Sequence, residues 1–251
     1  MRRLIILFGV LFCGAAYAAT ETINWFVDGG VYATTTCESG GDITLPPTPT
    51  KYGYTFHGWS AYKRLEYIES TGTQYIDLSF GFNAADEIET QISIDISEGT
   101  ERDKAMLSPI VWNDDKNRFS FGVFASKFTI GFGNQETTST ILQPDTKNDG
   151  NLHTWYYGDR TVSIPDVNAE LDLQNITFGG TTQNLRLFYG VRAPTKGKIA
   201  YYKHKRNGFL IGDLIPVLDP EGTACMYDLV EQKYYYNAGT GDFIAGPVVG
   251  E

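Results

Sequence analysis

Along residues 88–96 the chain alternates apolar and polar side chains: Ile88, Thr90, Ile92, Ile94 and Ile96 against Glu89, Gln91, Ser93 and Asp95. Successive side chains of a strand leave on opposite faces, so this pattern predicts a strand with one face in a core and one in water. The same period recurs at Phe119, Phe121 and Val123, at Phe128, Ile130 and Phe132, and at Leu185, Leu187, Tyr189 and Val191. Turn signals separate these runs, among them residues 113–117 (Asn-Asp-Asp-Lys-Asn) and Gly179-Gly180. No segment keeps a 3.6-residue period beyond a turn or two. Many short strands with frequent turns predict an all-β, antiparallel sandwich or barrel. The 27 Gly, 16 Tyr and 15 Phe agree, because aromatics suit pleated, half-buried surfaces and glycine suits the turns between them.

The N-terminus predicts export. Arg2-Arg3 is followed by an apolar run over residues 4–15 and by small residues at Ala16 and Ala18, the pattern of a secretory signal peptide cleaved after Ala18. The run is shorter than the ~20 residues a membrane span requires, and no later stretch is apolar enough. Phe12 is too bulky for the position before a lipidated Cys13. The whole chain carries 20 Lys plus Arg against 30 Asp plus Glu, a formal charge of -10. Removing residues 1–18 takes away Arg2 and Arg3 and no acid, leaving 18 - 30 = -12. A surface this acidic is not built to neutralise phosphates, so nucleic acid is excluded as a partner class. Two cysteines then remain, Cys37 and Cys225; they are too few for a disulfide framework, and their spacing leaves pairing open.

Residues 19–61 read as a small separate module. A short strand over residues 23–27 leads to a turn at Asp28-Gly29-Gly30, a Thr/Ser/Gly stretch, Ile43-Thr44-Leu45 and the helix-excluding Pro46-Pro47-Thr48-Pro49. Residues 51–59 (Lys-Tyr-Gly-Tyr-Thr-Phe-His-Gly-Trp) would pack Tyr54, Phe56 and Trp59 on one side of a small sheet. This span resembles the Listeria and Bacteroides repeat of bacterial surface proteins, a β-grasp-like module. The match is closest from Pro47 to Trp59, whereas residues 26–30 (Phe-Val-Asp-Gly-Gly) lack the Asn of the repeat's opening turn. About 40 residues is near the lower limit for folding alone.

Residues 62–251 form the second predicted domain. Its start, Leu65-Glu66-Tyr67-Ile68 and on to Tyr75-Ile76-Asp77, resembles the opening strand of concanavalin A-like, laminin G-like jelly-roll domains. Its end is similar to their last strands: Asp213 to Val217, Gly222, Met226-Tyr227-Asp228, Tyr235, and Asn237-Ala238-Gly239-Thr240-Gly241-Asp242-Phe243. At the centre, Gly150-Asn151-Leu152-His153-Thr154-Trp155 has His and Trp in altered order. The resemblance implies a two-sheet antiparallel jelly-roll sandwich; the alternation independently suggests only the stacked antiparallel sheets.

Few residues suggest catalysis. Retaining glycosidases of such folds project alternate carboxylates from one strand face. Here Glu87 and Glu89 share a face, but it is opposite Ile88, Ile92 and Ile94, and the third position is Gln91, so a solvated face is expected. Asp145, Lys147, Asp149 and Gly150 fail as an EF-hand, because Lys147 replaces a ligand and Tyr156 stands where the bidentate Glu belongs. His57, His153 and His204 lack paired zinc spacing and are expected to pack or lie on the surface. The loop Trp112, Asn113, Asp114, Asp115 and Asn117 joins a stacking ring to oxygen groups, and is the sequence's candidate for a ligand, with Ca2+ held by Asp114, Asp115 and Asn117 as an option. Lys196, Lys198, Lys203, His204, Lys205 and Arg206 form a basic cluster expected to be an exposed face balancing the acidic surface. Alternation sends Tyr235 to one face and Tyr234 and Tyr236 to the other.

The preferred reading is a secreted, non-catalytic binding or adhesion module for a glycan or other extracellular polymer. A structural spacer and a glycoside hydrolase of concanavalin A-like fold are the alternatives. Fold alone does not choose among them.

Overall fold

The computed structural model describes residues 2–4, 6–9, 20–27, 30–39, 41–56, 59, 62–95, 104–107, 118–124, 127–133, 140–141, 149–178, 183–190 and 193–249. In chain order the strands are β1 (Arg2–Leu4), β2 (Ile6–Gly9), β3 (Thr20–Val27), β4 (Gly30–Glu38), β5 (Tyr54–Phe56), β6 (Lys63–Arg64), β7 (Ile68–Thr71) and β8 (Ile76–Asp77). They continue as β9 (Asp86–Ile94), β10 (Lys104–Leu107), β11 (Arg118–Phe124), β12 (Lys127–Gly133), β13 (Thr140–Ile141), β14 (His153–Gly158), β15 (Thr161–Ile164) and β16 (Ala169–Asp172). The last are β17 (Arg186–Leu187), β18 (Lys196–Arg206), β19 (Phe209–Leu218), β20 (Ala224–Asp228), β21 (Lys233–Tyr235) and β22 (Ile244–Ala245). Among the described residues the one helical element is a 3-10 turn at Pro165–Val167.

In the N-terminal module, β2, β3 and β4 form an antiparallel sheet and β1 pairs with β5 in parallel. The Thr-rich stretch after the first turn is therefore a nine-residue strand, its β-branched threonines fitting the pleat. Residues 43–45 are irregular, with Ile43 and Leu45 exposed. Trp25 is the module's buried centre, donating its indole N–H to Thr35 Oγ1 at 2.7 Å and meeting Trp59 edge-on at 4.7 Å between ring centroids. Phe56 also meets Trp59, as the sequence predicts. The leader-like segment supplies β1 and β2, while the expected cleavage point lies outside the described residues.

The larger unit has two sheets. One runs β13-β12-β11-β10-β17-β8, and the other, of 11 strands, has the main path β16-β15-β14-β9-β18-β19-β20-β21, with β7, β22 and β6 joined to it. Every pairing within these two sheets is antiparallel. The alternation dictates the layering: Ile88, Ile92 and Ile94 of the large sheet and Phe119, Phe121, Phe128, Ile130 and Phe132 of the smaller one are buried in a single core. Phe121 stacks on Trp155 across the layers, at 5.1 Å and 28°. Truncating such a ring costs about 3–5 kcal/mol, so the interlayer packing is a major stabilising element.

One predicted strand is corrected. The run at 185–191 ends after β17, because buried Phe188 takes φ of 58° and the chain reverses, with Thr195 N–H donating to Phe188 O at 2.8 Å. Val191 lies outside the described residues.

The two sequence motifs at the ends of this unit meet in space. β7 is held between β18 and β22, and Leu65 bridges Val248. The loop after β21 folds over residues 73–75: Ala238 N–H donates to Tyr75 O, Thr240 N–H to Thr73 O, and Tyr75 N–H to Asn237 Oδ1. A side chain at Gly239 would run into the Thr73 carbonyl, so this close backbone approach requires glycine. Gln74 completes the clasp, its Oε1 accepting from Thr71 N–H at 2.8 Å.

Candidate functional site

The outer face of the large sheet brings together polar and aromatic side chains that the sequence scatters over four strands. On β14 Thr154 and Tyr156 point outward, between the buried His153, Trp155 and Tyr157. Register sets Tyr156 opposite Glu89 and Thr154 opposite Gln91 on β9, and β18 in turn sets Lys203 opposite Glu89, Tyr201 opposite Gln91 and Lys205 opposite Glu87. Beyond β18, Asp213 of β19 faces Lys203. One row across the strands is therefore Tyr156, Glu89, Lys203 and Asp213, with Tyr201 and Gln91 in the row beside it.

Two β-bulges shape this patch. In β18 the pairing with β9 steps from Ile199 to Tyr201, leaving Ala200 as the extra residue. The extra residue aims Tyr201 outward while keeping Tyr202 in the core, and Thr90 Oγ1 donates to Tyr201 O at 2.6 Å beside it. The second bulge lies between His204 and Lys205, where Ile211 is the extra residue of β19. It closes near a tight turn whose Asn207 and Gly208 both have positive φ, at 51° and 75°.

Glu87 and Glu89 of this face each have a side-chain partner. Tyr201 Oη donates to Glu89 Oε1 at 2.9 Å, and Lys205 Nζ lies 3.4 Å from Glu87 Oε2. Lys203 makes no ion pair among the described residues and stands between Glu89 and Asp213. Burial raises Asp213 above the ordinary carboxylate range, Lys203 pulls it down, and Asp228 and Glu89 push it up. Burial also raises the Tyr201 phenol; its bond to Thr154 opposes this and its bond to Glu89 adds to it.

Two histidine networks lie beneath and beside this face. His204 is fully buried, with Nε2 2.8 Å from Asp86 Oδ2 and Nδ1 2.8 Å from Tyr202 Oη. Arg206 donates to both Asp86 oxygens, each at 2.8 Å, and Asn83 N–H also donates to Oδ2. Burial drives Asp86 up, but the bonds from Arg206, His204 and Asn83 outweigh it and leave it at about 2; burial holds His204 below its ordinary value. His153 is bracketed by Asp149, at 2.8 Å from Nε2, and by Asp166 on Nδ1. Burial opposes its proton, and the two carboxylates prevail and raise its pKa. Both histidines are thus packing residues fixed by carboxylates. The Asp86–His204 contact joins residues 118 apart, a relation no local spacing could signal.

The basic cluster divides by the parity of β18. Lys203 and Lys205 face out, Arg206 and His204 turn to Asp86, and Lys198 Nζ lies 3.8 Å from Glu69. Tyr235 enters the core while Tyr234 and Tyr236 lie on the outer side, as parity predicts. Cys37 and Cys225 are both free thiols. Cys225 is buried in a second cluster with Tyr62, Ile215, Val217 and Tyr227, and burial pushes its thiol up to about 12. Trp112, Asn113, Asp114, Asp115 and Asn117, the loop singled out from sequence, lie outside the described residues, as do His57, Asp145 and Lys147. Among the described residues no group of three or more His, Cys, Asp or Glu is arranged to hold a metal ion.

A family model of the Listeria-Bacteroides repeat domain matches residues 22–77. The match covers the small module and continues into Lys63–Asp77, whose strands pair with β17, β18 and β19 of the larger unit. No curated protein matches the chain. Among the described residues no helix is long and apolar enough to cross a membrane.

Proposed function

We propose that this chain is a secreted, non-catalytic binding module that recognises a glycan on the outer face of its large sheet. In this reading the larger unit is a jelly roll of the concanavalin A-like kind, carried beside one surface-protein repeat and exported by the segment before Ala19. The observation that carries it is the register that sets Tyr156 and Tyr201 among Glu89, Gln91 and Lys203. Tyrosine rings offer an apolar plane for sugar faces, while the carboxylate, amide and ammonium groups exchange hydrogen bonds with hydroxyls. The matched repeat, of a kind found in surface proteins, supports an extracellular setting.

The same geometry favours binding over hydrolysis. A glycosidase needs one free carboxylate and one protonated carboxyl flanking the bond. Glu87 is engaged by Lys205 and Glu89 by Tyr201, and the next outward position on the strand is Gln91. The loop Trp112, Asn113, Asp114, Asp115 and Asn117 is a second contact in this proposal, with Ca2+ as its optional ion.

A glycan array on the purified protein, followed by Tyr201→Ala and Glu89→Gln, tests the reading. Each variant is expected to weaken binding several-fold at unchanged melting temperature. Trp112→Ala, Asp114→Asn and chelation test the loop. Silence across a broad array leaves the structural-spacer reading; cleavage of a polysaccharide that Glu87→Gln with Glu89→Gln abolishes would establish the hydrolase instead.

A further inference from the structure

Tyr156 and Gly158 are two residues apart on β14 and so share the outer face of the sheet. The tyrosine side chain lies back along its own strand and fills the space that a side chain at Gly158 would take. A Cβ built there would stand 2.6 Å from Tyr156 Cζ and 2.9 Å from Cε1, closer than real Cβ contacts come. Gly158 is accordingly buried while the ring above it stays 37% exposed. Its φ is not positive, so the backbone at this position does not itself require glycine; the tyrosine does.

Register supplies the surroundings of this ring. On one side Ser163 is opposite Tyr156 and Thr161 opposite Gly158, both half-buried hydroxyls of β15. On the other side stand Glu89, opposite Tyr156, and Glu87, paired with Lys205. Glu87, Glu89 and Asp159 thus face the phenol against the one ammonium of Lys205, a field that repels an anionic ligand. Further rings are not on offer nearby. Tyr201 is half-buried with its hydroxyl given to Glu89, and past Asp213 the face closes, because Ile215, Tyr227 and Tyr62 are buried together.

We propose that Tyr156, laid over Gly158, is the platform for a single uncharged sugar ring, and that Gly158 is the positioning residue that holds the platform down on the sheet. The proposal rests on the glycan-binding reading above and adds the size and charge of the ligand and the residue that sets its height. A sugar seated on the ring has the hydroxyls of Thr161 and Ser163 on one side and the Glu87–Lys205 pair on the other. With the ring raised, the sugar loses its level with those groups although none of them has changed.

The test titrates the full chain with the methyl glycosides of galactose, glucose, mannose and N-acetylglucosamine and with glucuronic acid, followed by NMR of labelled tyrosine rings. Tyr156 is assigned by the signal missing in Tyr156→Phe. A neutral glycoside is expected to shift that signal, and oligomers of the same sugar should gain less than about threefold in affinity. Tyr156→Ala should weaken binding about tenfold, and Tyr156→Phe, which returns the ring, should recover most of that loss. Gly158→Ala should weaken binding about fivefold and move the Tyr156 signal before any sugar is added, at a melting temperature close to wild type. Should Gly158→Ala not fold, Gly158→Ala combined with Tyr156→Ala must fold, because the space of the added methyl is then empty; a double variant that also fails would overturn the positioning role. Wild-type binding by Gly158→Ala, or by Tyr156→Ala while Tyr201→Ala is weakened, would overturn the proposal and leave a glycan site at Tyr201. Tightest binding of glucuronic acid would overturn its charge, and affinity climbing steeply with chain length its size. Binding of none of these sugars or their oligomers would overturn both this proposal and the reading beneath it.

Discussion

Replacing Asp86 with alanine should be among the most damaging single changes in the larger unit. The side chain is fully buried and accepts four hydrogen bonds of 2.8 Å, two from Arg206, one from His204 and one from the Asn83 amide. Its removal leaves the buried imidazole and a guanidinium only 32% exposed without their acceptor. Breaking a buried ionic network from one side costs about 3–5 kcal/mol. A second route gives a smaller figure of the same order: Asp86 is lowered from 3.8 to about 2, a linkage of about 2 kcal/mol. The sign follows from the direction: a depressed carboxyl contributes stability that is present above pH 3.8 and lost as pH falls through about 2. His204, held neutral by burial, adds a separate loss of stability as pH falls below its ordinary 6.5. Urea unfolding followed by tryptophan fluorescence, with Trp155 in the core as reporter, measures both terms. Asp86→Ala should lower the unfolding free energy by at least about 3 kcal/mol, and Asp86→Asn should flatten the wild-type decline between pH 4 and 2. A loss under about 1 kcal/mol, or an acid profile identical to wild type, would refute the reasoning.

Three other outcomes follow. His153 has a raised pKa, so its contribution is complete below 6.5 and lost as pH rises through the folded value; His153→Gln should remove that decline in unfolding free energy, and an unchanged profile would contradict the clamp of Asp149 and Asp166. Glu87→Gln with Glu89→Gln should change stability by no more than about 1 kcal/mol by thermal melting, because each is a surface partner; a larger loss would make these pairs structural. Intact mass of the exported protein should begin at Ala19, and a product retaining residues 4–15 would remove the signal-peptide assignment.

What the sequence made legible depended on parity. Alternation at Ile88 to Ile94 and at Phe119 to Phe132 identified core faces because burial repeats every second residue in a strand, and the same rule divided Tyr234, Tyr235 and Tyr236 correctly. Parity fails where the backbone breaks it. Nothing in Leu185 to Val191 marks Phe188 as the point of reversal, and no local signal shows that Ala200 bulges and re-aims Tyr201. The Thr-rich strand β4 lacked the large apolar residues that draw attention, although it pairs along nearly its whole length. The basic run of β18 looked like one patch only while its two faces were read together. The outer patch itself was illegible because its neighbours are set by register: Glu89 meets Lys203 and Tyr156 through pairings 114 and 67 residues apart, figures given by 203 - 89 and 156 - 89.

The clasp between the ends of the larger unit bears on how the chain is made. Strand β7 leaves the ribosome more than a hundred residues ahead of β18 and before all of the loop that covers it, so its two neighbours arrive last. Pairings so distant along the chain form slowly, because loop closure must precede any stabilising contact. A nascent chain stopped before Asn237 therefore lacks the residues that seal Thr73 to Tyr75, and should remain open to protease where the full chain is resistant. Late sealing of this kind leaves the unit without its closing contacts for as long as its C-terminal motif is missing, so the last residues made decide when the first strands of the unit become protected.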